Sequence, residues 1–406
     1  MNHRIAIVAA AVTLASAAGA QSVATGAAAP APPDAYAADD PTFYDVPDSI
    51  PAGEHGDLIR YQPIEFALPG VTLTRVMYLS ETVVGEPTVV TGVVTVGDGP
   101  APDGGWRLLL HGHGTTGLAD ECAPSVSLGG NGMDALEIGL LAGLAPPRGF
   151  AVSSTDYEGL GGPGVHPYLV GISEGRSMLD AGLAARQLPG ADIGDVTAIA
   201  GYSQGGHAAL WAHQIAEDWT PDMPIVGTLS GAPASELTDV VRDAWERGGV
   251  ERTAAFALLA GLAASSPEAA DAVDAVLSPD GRRLVAMYGG DTCEFSFVAG
   301  DGAGFLTDDP STIEPLASMI AANVPGDVAA DAPLLIVHSD NDESVPIDAT
   351  ASLLERECAA DQVVERRVLV DGPTHVEAAV PAYTQGLDWL AGFVDGAVPL
   401  SSCAGG

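Results

Sequence analysis

A serine between two glycines is the first pattern in this chain that could support nucleophilic chemistry. The segment "GYSQG" at 201–205 fits G-x-S-x-G, and it joins an apolar run, "VTAIAGYS", to the alanine-rich run "QGGHAALWAHQIAEDW". A serine hydroxyl attacks poorly unless a base removes its proton, and a sharp strand-to-helix turn exposes its oxygen above a sheet. We therefore predict that Ser203 is a nucleophile and that the glycines leave room for the turn.

The partners of a serine on such a turn follow it in the order acid, then histidine. His375, in "VDGPTHVEAAV", is the only histidine after His338, and we predict that it acts as general base and then general acid. The acid should lie just past a strand later in the chain than Ser203, and "LLIVHSDNDESVP" offers Asp340, Asp342 and Glu343. We favour Asp342 because Asp340 follows the strand directly, whereas Asp342 lies further into the loop.

Two backbone N–H groups are needed to bind the oxyanion that forms when the serine attacks a carbonyl. One is expected from Gln204, the residue after the nucleophile. The other should come from the loop "HGHGTTG", where we favour the N–H of Thr115 and keep Gly114 as the alternative. We expect His111 and His113 to brace this loop by hydrogen bonds. Their spacing indicates no metal site, and no cofactor is expected.

Strands and helices alternate along most of the chain. Antiparallel strands are predicted within 75–96, and βα alternation follows them. This order predicts an α/β fold with a mostly parallel sheet and helices on both faces. Residues 235–330 contain helical patterns without a convincing central strand, so we predict an inserted helical cap between two parts of the core, 41–234 and 331–406.

The N-terminus is typical of an exported protein. A basic start, an apolar run and the small residues "AGA" predict a signal peptide at 1–20, followed by a loose linker rich in Ala and Pro at 21–40. We therefore expect a secreted, extracellular protein. Four cysteines in an oxidising compartment predict two disulfides, and the sequence leaves three pairings open. The cysteines are Cys122, Cys293, Cys358 and Cys403.

The net charge is strongly negative and argues against one class of partner. The chain carries 54 acidic and 15 basic residues, which gives a formal charge of −39. Such a surface repels phosphates, so we expect no nucleic-acid partner, and it also repels anionic lipid headgroups. The surplus of carboxylates fits either a biased base composition of the genome or adaptation to salt.

Six segments of the chain resemble the secretory lipase family, a group of secreted α/β-hydrolases from fungi and actinobacteria. The resemblance spans roughly residues 40–403. Its segments are "HGTTG" at 113–117, "STDYEGLG" at 154–161 with "HPYL" at 166–169, "GYSQGGHAA" at 201–209, the D-x-x-V-P stretch at 342–346 and "THVEAAVPAY" at 374–383.

The resemblance implies an α/β-hydrolase fold with a helical cap over the acyl pocket. It implies the roles of nucleophile, acid and base for Ser203, Asp342 and His375, and oxyanion donation at 114–115. It also implies two disulfides, of which the first ties the cap to the core. These are Cys122–Cys293 and Cys358–Cys403.

The expected activity is hydrolysis of lipid-like or short-to-medium acyl esters through an acyl-enzyme. An acyltransferase with the same triad and a non-catalytic secreted binding module on this fold are the alternatives. The apolar stretch "AAFALLAGLAA" at 254–264 further suggests transient contact of the cap with a lipid interface.

Overall fold

The computed structural model describes residues 32–46, 49–65, 68–128, 136–246, 251–290, 293 and 304–403. The predicted signal peptide and residues 21–31 of the predicted linker lie outside the described residues. Within the described ranges, no helix combines the length and the apolar character needed to cross a lipid bilayer.

One mixed sheet of ten strands runs through the described residues. In chain order the strands are β1 (Asp34–Ala35), β2 (Leu58–Ile64), β3 (Val71–Glu81), β4 (Pro87–Gly97), β5 (Trp106–Gly112), β6 (Phe150–Thr155), β7 (Ile193–Tyr202), β8 (Ile225–Gly231), β9 (Leu334–Ser339) and β10 (Val364–Leu369). Their spatial order is β1-β2-β3-β4-β6-β5-β7-β8-β9-β10.

The sheet has an antiparallel part and a parallel part. β2, β3, β4 and β6 pair antiparallel in succession, and the pairs from β6 through β5 to β10 are parallel. Parallel strands end at one edge of a sheet, so the loops after β5, β7, β9 and β10 lie along the same edge. That edge receives the segments that carry the predicted catalytic and oxyanion residues.

Helices cover both faces of the parallel part. The described helices are α1 (Pro124–Ser127), α2 (Leu136–Leu144), α3 (Gly171–Gln187), α4 (Gln204–Trp219), α5 (Leu237–Glu246), α6 (Glu251–Ser265), α7 (Pro267–Val276), α8 (Pro279–Tyr288), α9 (Leu316–Ala321), α10 (Ile347–Ala359) and α11 (His375–Val394).

The central strand β5 shows how both faces of the sheet become buried. Leu108 and Leu110 pack with residues of α3 and α4 on one face. Leu109, between them, packs on the other face with residues of α2 and α11. Successive side chains of a strand point to opposite faces, so a continuous apolar run such as "LLL" is suited to a strand covered on both sides.

The segment between β8 and β9 is helical and has its own apolar cluster. It contains α5 to α9, and apolar side chains of α6 such as Phe256 and Leu259 are buried in that cluster. Within the described residues of this segment, the bridge Leu277–Leu306 is the only strand-like pairing. The inserted cap and its boundaries at 235 and 330 remain a prediction.

Two disulfides join distant parts of the chain. Cys122, between β5 and α1, is bonded to Cys293, which lies between α8 and α9. Cys358 of α10 is bonded to Cys403, after α11. These are the pairs that the family resemblance implies, and the first links the helical segment to the sheet region.

Candidate active site

Ser203 lies at a tight turn between β7 and α4. Its φ is 59° and its ψ is −120°, a conformation that is strained for a residue with a side chain. A Cβ at Gly201 would overlap the carbonyl oxygen of Gly205, and a Cβ at Gly205 would overlap that of Gly112. The glycines therefore permit the turn, which holds Ser203 partly exposed at the carboxyl edge of the sheet.

His375 is the first residue of α11, and its ring reaches the serine. The Nε2 atom of His375 lies 2.9 Å from the Oγ atom of Ser203. Its backbone N–H donates to the Glu343 carboxylate at 3.0 Å, and its carbonyl oxygen accepts from the Tyr202 hydroxyl at 2.8 Å. A capping box formed by Thr374 and Glu377 fixes the start of the helix. His375 is therefore positioned from both sides.

Asp342 lies against the opposite nitrogen of the imidazole. Its Oδ2 atom is 2.6 Å from the Nδ1 atom of His375, and its Oδ1 atom accepts the N–H groups of Ser344 at 2.9 Å and Val345 at 2.8 Å. Burial alone would raise the pKa of Asp342, but hydrogen bonds from His338 and His375 outweigh burial and hold this pKa well below its ordinary value. The carboxyl is therefore ionised.

The other two candidate acids have different partners. Asp340 accepts the backbone N–H groups of Asp371 and Gly372, each at 3.1 Å. Glu343 accepts the backbone N–H of His375. Among these three carboxylates of the described residues, Asp342 is therefore the one that contacts the imidazole of His375.

The loop after β5 lies beside the serine. A Cβ built on Gly114 would lie 3.9 Å from the Cβ of Ser203. The N–H of Gly114 donates to the Glu137 carboxylate at 2.9 Å, whereas the N–H of Thr115 makes no hydrogen bond within the described part of the chain. The N–H of Gln204 belongs to the first turn of α4, where backbone donors have no acceptor in the helix.

Glu137, on α2, was not singled out by any sequence pattern. Besides the Gly114 N–H, its carboxylate accepts from the Tyr383 hydroxyl and lies 3.3 Å from the Nε2 atom of His111. Burial raises the pKa of Glu137, but hydrogen bonds from His111, Tyr383 and Gly114 lower it by more, so it falls below its ordinary value. An ionised carboxylate thus anchors the loop beside Ser203.

A buried polar network supports the start of α4. The Gln204 amide nitrogen lies 2.8 Å from the Glu174 carboxylate and 2.7 Å from the Nε2 atom of His166. Burial lowers the pKa of His166 to about 4, so its ring is neutral and this nitrogen can accept. Glu174 also contacts His207 at 2.7 Å, and His207 reaches the Asn323 carbonyl oxygen at 2.9 Å. His207 thus extends the network from Glu174 to the backbone of Asn323.

The two histidines of the loop after β5 form hydrogen bonds with its surroundings. The Nδ1 atom of His113 lies 2.6 Å from the carbonyl oxygen of Gly114, and the Nδ1 atom of His111 lies 2.9 Å from the Ser154 hydroxyl. In the described ranges, no group of three His, Cys, Asp or Glu side chains is arranged to hold a metal ion.

Comparisons with known proteins identify relatives that are similar to this chain in sequence or in fold. A sequence model of the secretory lipase family matches residues 135–401. Lipase A of Moesziomyces aphidis is 25% identical over 344 residues, which cover 79% of this chain and 72% of that protein. A Mycobacterium tuberculosis protein named a probable inactive lipase is 26% identical over 336 residues, which cover 78% of this chain and 73% of that protein.

A solved structure shares the fold. The crystal structure of Candida antarctica lipase A is similar with a TM-score of 0.71 at 21% identity, over 90% of this chain and 89% of that one. This likeness confirms the predicted α/β-hydrolase fold, and the family match covers more than half of the chain. The chain therefore belongs to the secretory lipase family and is a carboxylic ester hydrolase.

Proposed function

We propose that this chain is a secreted lipase or esterase that cleaves esters through an acyl-enzyme on Ser203. The observation that carries the proposal is the continuous contact from the Ser203 hydroxyl through His375 to Asp342, at 2.9 Å and 2.6 Å. A neutral imidazole between a hydroxyl and a carboxylate is the arrangement that activates a serine.

The proposed reaction begins with proton transfer. The ionised Asp342 keeps the proton of His375 on Nδ1, so Nε2 is free to accept the proton of Ser203 as its oxygen attacks the ester carbonyl. The imidazolium then gives this proton to the leaving alcohol. A water molecule repeats the sequence on the acyl-enzyme and releases the acid.

The negative charge on the carbonyl oxygen requires donors that are already in place. We assign them to the backbone N–H groups of Gln204 and Thr115. The positive end of the α4 dipole adds to the stabilisation, since Gln204 is its first residue. Removing one such donor lowers kcat by roughly 10²–10³-fold in serine hydrolases.

The exposure of the site favours small, soluble esters. Ser203 is partly exposed and Thr115 is exposed, so a soluble short-chain ester can reach the nucleophile. The apolar side chains of α6 are buried within the helical segment, so contact of this segment with a lipid surface requires it to rearrange. We propose hydrolysis of short-to-medium acyl esters, with a further rise in rate on an oil surface.

Export is part of the same proposal. The N-terminal signal sequence supports secretion, and the two disulfides suit an oxidising compartment. The family whose model matches residues 135–401 of this chain is described as secretory.

The test is hydrolysis of 4-nitrophenyl esters of increasing acyl length by the wild type and Ser203→Ala. We expect turnover by the wild type and its loss in the variant, with the same thermal unfolding temperature for both. Equal and negligible rates would support a binding module instead. Rates that rise strongly with an added alcohol acceptor, with transesterified product, would support an acyltransferase.

The interfacial part of the proposal has its own test. The rate on a triglyceride is measured as its concentration passes the solubility limit. A jump at that limit supports rearrangement of the helical segment at a lipid surface. A smooth increase contradicts it and leaves ester hydrolysis unaffected.

A further inference from the structure

The peptide unit between Gly114 and Thr115 couples two groups of different function. A trans peptide is planar, and its C=O and N–H bonds point in opposite directions. The only cis peptide among the described residues is Glu314–Pro315, so this unit is trans. Whatever fixes the carbonyl of Gly114 therefore also fixes the direction of the Thr115 N–H.

His113 holds that carbonyl. Its Nδ1 atom lies 2.6 Å from the Gly114 oxygen, and because a carbonyl oxygen only accepts, Nδ1 must be the donor. The weaker contact of Nε2, 3.3 Å from the carbonyl oxygen of Asp156, lies on the far side of the ring. With the ring N–H on Nδ1, the short hydrogen bond of His113 is the one that acts on the peptide unit next to the serine.

The ring of His113 is itself held in place. The residue is 2% exposed, and its ring packs against that of Tyr157 with centroids 4.5 Å apart. The Tyr157 hydroxyl also donates to the carbonyl oxygen of His113 at 3.0 Å. A ring fixed by packing can impose a direction on the group to which it donates.

The neighbouring bonds of the loop do not engage the Thr115 N–H. Glu137 accepts the Gly114 N–H, and the Thr115 hydroxyl lies 2.8 Å from that of Tyr168. The Thr115 N–H makes no hydrogen bond within the described residues, and its loop lies beside Ser203. We propose that His113 is a positioning residue that turns the Thr115 N–H toward the substrate oxyanion by holding the Gly114 carbonyl.

This inference rests on the proposed function, because it gives Thr115 the role of an oxyanion donor. Loss of the His113 bond frees the peptide unit to rotate. This rotation raises the free energy of the transition state, in which the oxyanion exists. It hardly weakens binding of the neutral ester. A fall in kcat at nearly constant KM is the expected signature.

The experiment compares His113→Leu, His113→Asn and His113→Gln on a soluble short-chain 4-nitrophenyl ester. The amide nitrogen of asparagine stands as many bonds from the backbone as Nδ1 of histidine, whereas that of glutamine matches Nε2. We expect His113→Leu and His113→Gln to lower kcat by about 10–100-fold. We expect His113→Asn to recover most of the loss, with KM within about threefold throughout.

A transition-state analogue gives a second readout. An alkyl trifluoromethyl ketone adds to a catalytic serine and places an oxyanion in the same position, so its inhibition constant should rise by the factor by which kcat/KM falls. If His113→Leu does not fold, the inference is tested by comparing kcat of His113→Asn with kcat of His113→Gln.

Two sets of outcomes would overturn the inference. The first is a wild-type kcat in all three variants. The second is an equal loss of kcat in the asparagine and glutamine variants while the unfolding temperature stays unchanged. Hydrolysis that survives Ser203→Ala, or its absence in the wild type, would overturn the proposed function as well, so the two failures are distinguishable.

Discussion

The Nε2 atom of His338 lies 3.2 Å from the Oδ2 atom of Asp342, the same oxygen that meets His375. His338 is fully buried and is fixed in turn by the Thr350 hydroxyl at 2.9 Å from its Nδ1 atom. The carboxylate of Asp342 therefore has its direction set before any substrate binds, which is what an orienting acid requires.

The two aspartates of the loop after β9 provide a matched pair of variants. Asp342→Asn should lower kcat by roughly 10⁴-fold, because an amide does not hold the required tautomer of His375. Asp340→Asn should stay within about threefold of the wild type, since its bonds are to the backbone of Asp371 and Gly372. Steady-state kinetics on one ester measures both. A larger loss of kcat in Asp340→Asn than in Asp342→Asn would identify Asp340 as the acid.

Glu137→Gln tests whether the anchored loop supports catalysis. The amide keeps the size of the side chain but weakens the charge-assisted bonds to Gly114 and Tyr383. We expect kcat to fall by about tenfold with KM nearly constant, because the loop carries a proposed oxyanion donor. Glu268→Gln, at an exposed position of α7, serves as control and should change neither constant. Equal kinetics for both variants would contradict this role.

Gly205→Ala should disrupt the turn at the serine. The added Cβ would overlap the carbonyl oxygen of Gly112, a backbone atom that has little room to move. We expect destabilisation of more than about 3 kcal/mol, or no soluble protein. Gly143→Ala is the control: this glycine is exposed on α2, with open space around it, and should stabilise by about 0.5–1 kcal/mol. Urea unfolding of both measures the difference.

Glu357 makes stability depend on pH. It is fully buried on α10, and within the described residues neither carboxylate oxygen has a hydrogen-bond partner. Burial raises its pKa, the charge of Arg356 opposes the rise and that of Asp327 adds to it, and together they bring the pKa to about 7 from an ordinary value of 4.5. The folded state holds the proton of this carboxyl more tightly than the unfolded state does. Its contribution to the free energy of unfolding is therefore fully present below pH 4.5 and is lost as pH rises through 7.

The corresponding variant is Glu357→Gln, which is neutral at every pH. At pH 8.5 we expect its free energy of unfolding to exceed that of the wild type by on the order of 2–3 kcal/mol, and at pH 4.5 we expect the two to be nearly equal. Glu355→Gln, exposed on the same helix, should follow the wild type at both pH values. A constant difference between Glu357→Gln and the wild type would show that the carboxyl does not titrate in this range.

The alternation of strands and helices could be predicted from the sequence because buried parallel strands have continuous apolar runs. The positions of Ser203 and His375 followed from the G-x-S-x-G pattern and from the chain order of the fold. The choice of Asp342 over Asp340 rested on its place further into the loop after β9, because local sequence does not show where each carboxylate points.

Other residues of the site could not be predicted because their partners are distant in sequence. Glu137 and Tyr383 are 246 positions apart, and α2 has no clear alternation of apolar and polar faces that would indicate a buried carboxylate. His338 lies within a buried strand, where a histidine is indistinguishable by pattern from a packing residue. Their roles depend on tertiary contacts alone.

The bond between Cys122 and Cys293 also lies against the end of the loop beside the serine. A Cβ on Gly117 would overlap the sulfur of Cys122 and lie 3.2 Å from the Cα of Cys293. Thiols stay reduced in the cytosol, so in an exported chain this crosslink closes only after the protein has left the place of its synthesis. Under the proposed export, maturation of the loop and of the helical segment is thereby tied to arrival in an oxidising compartment.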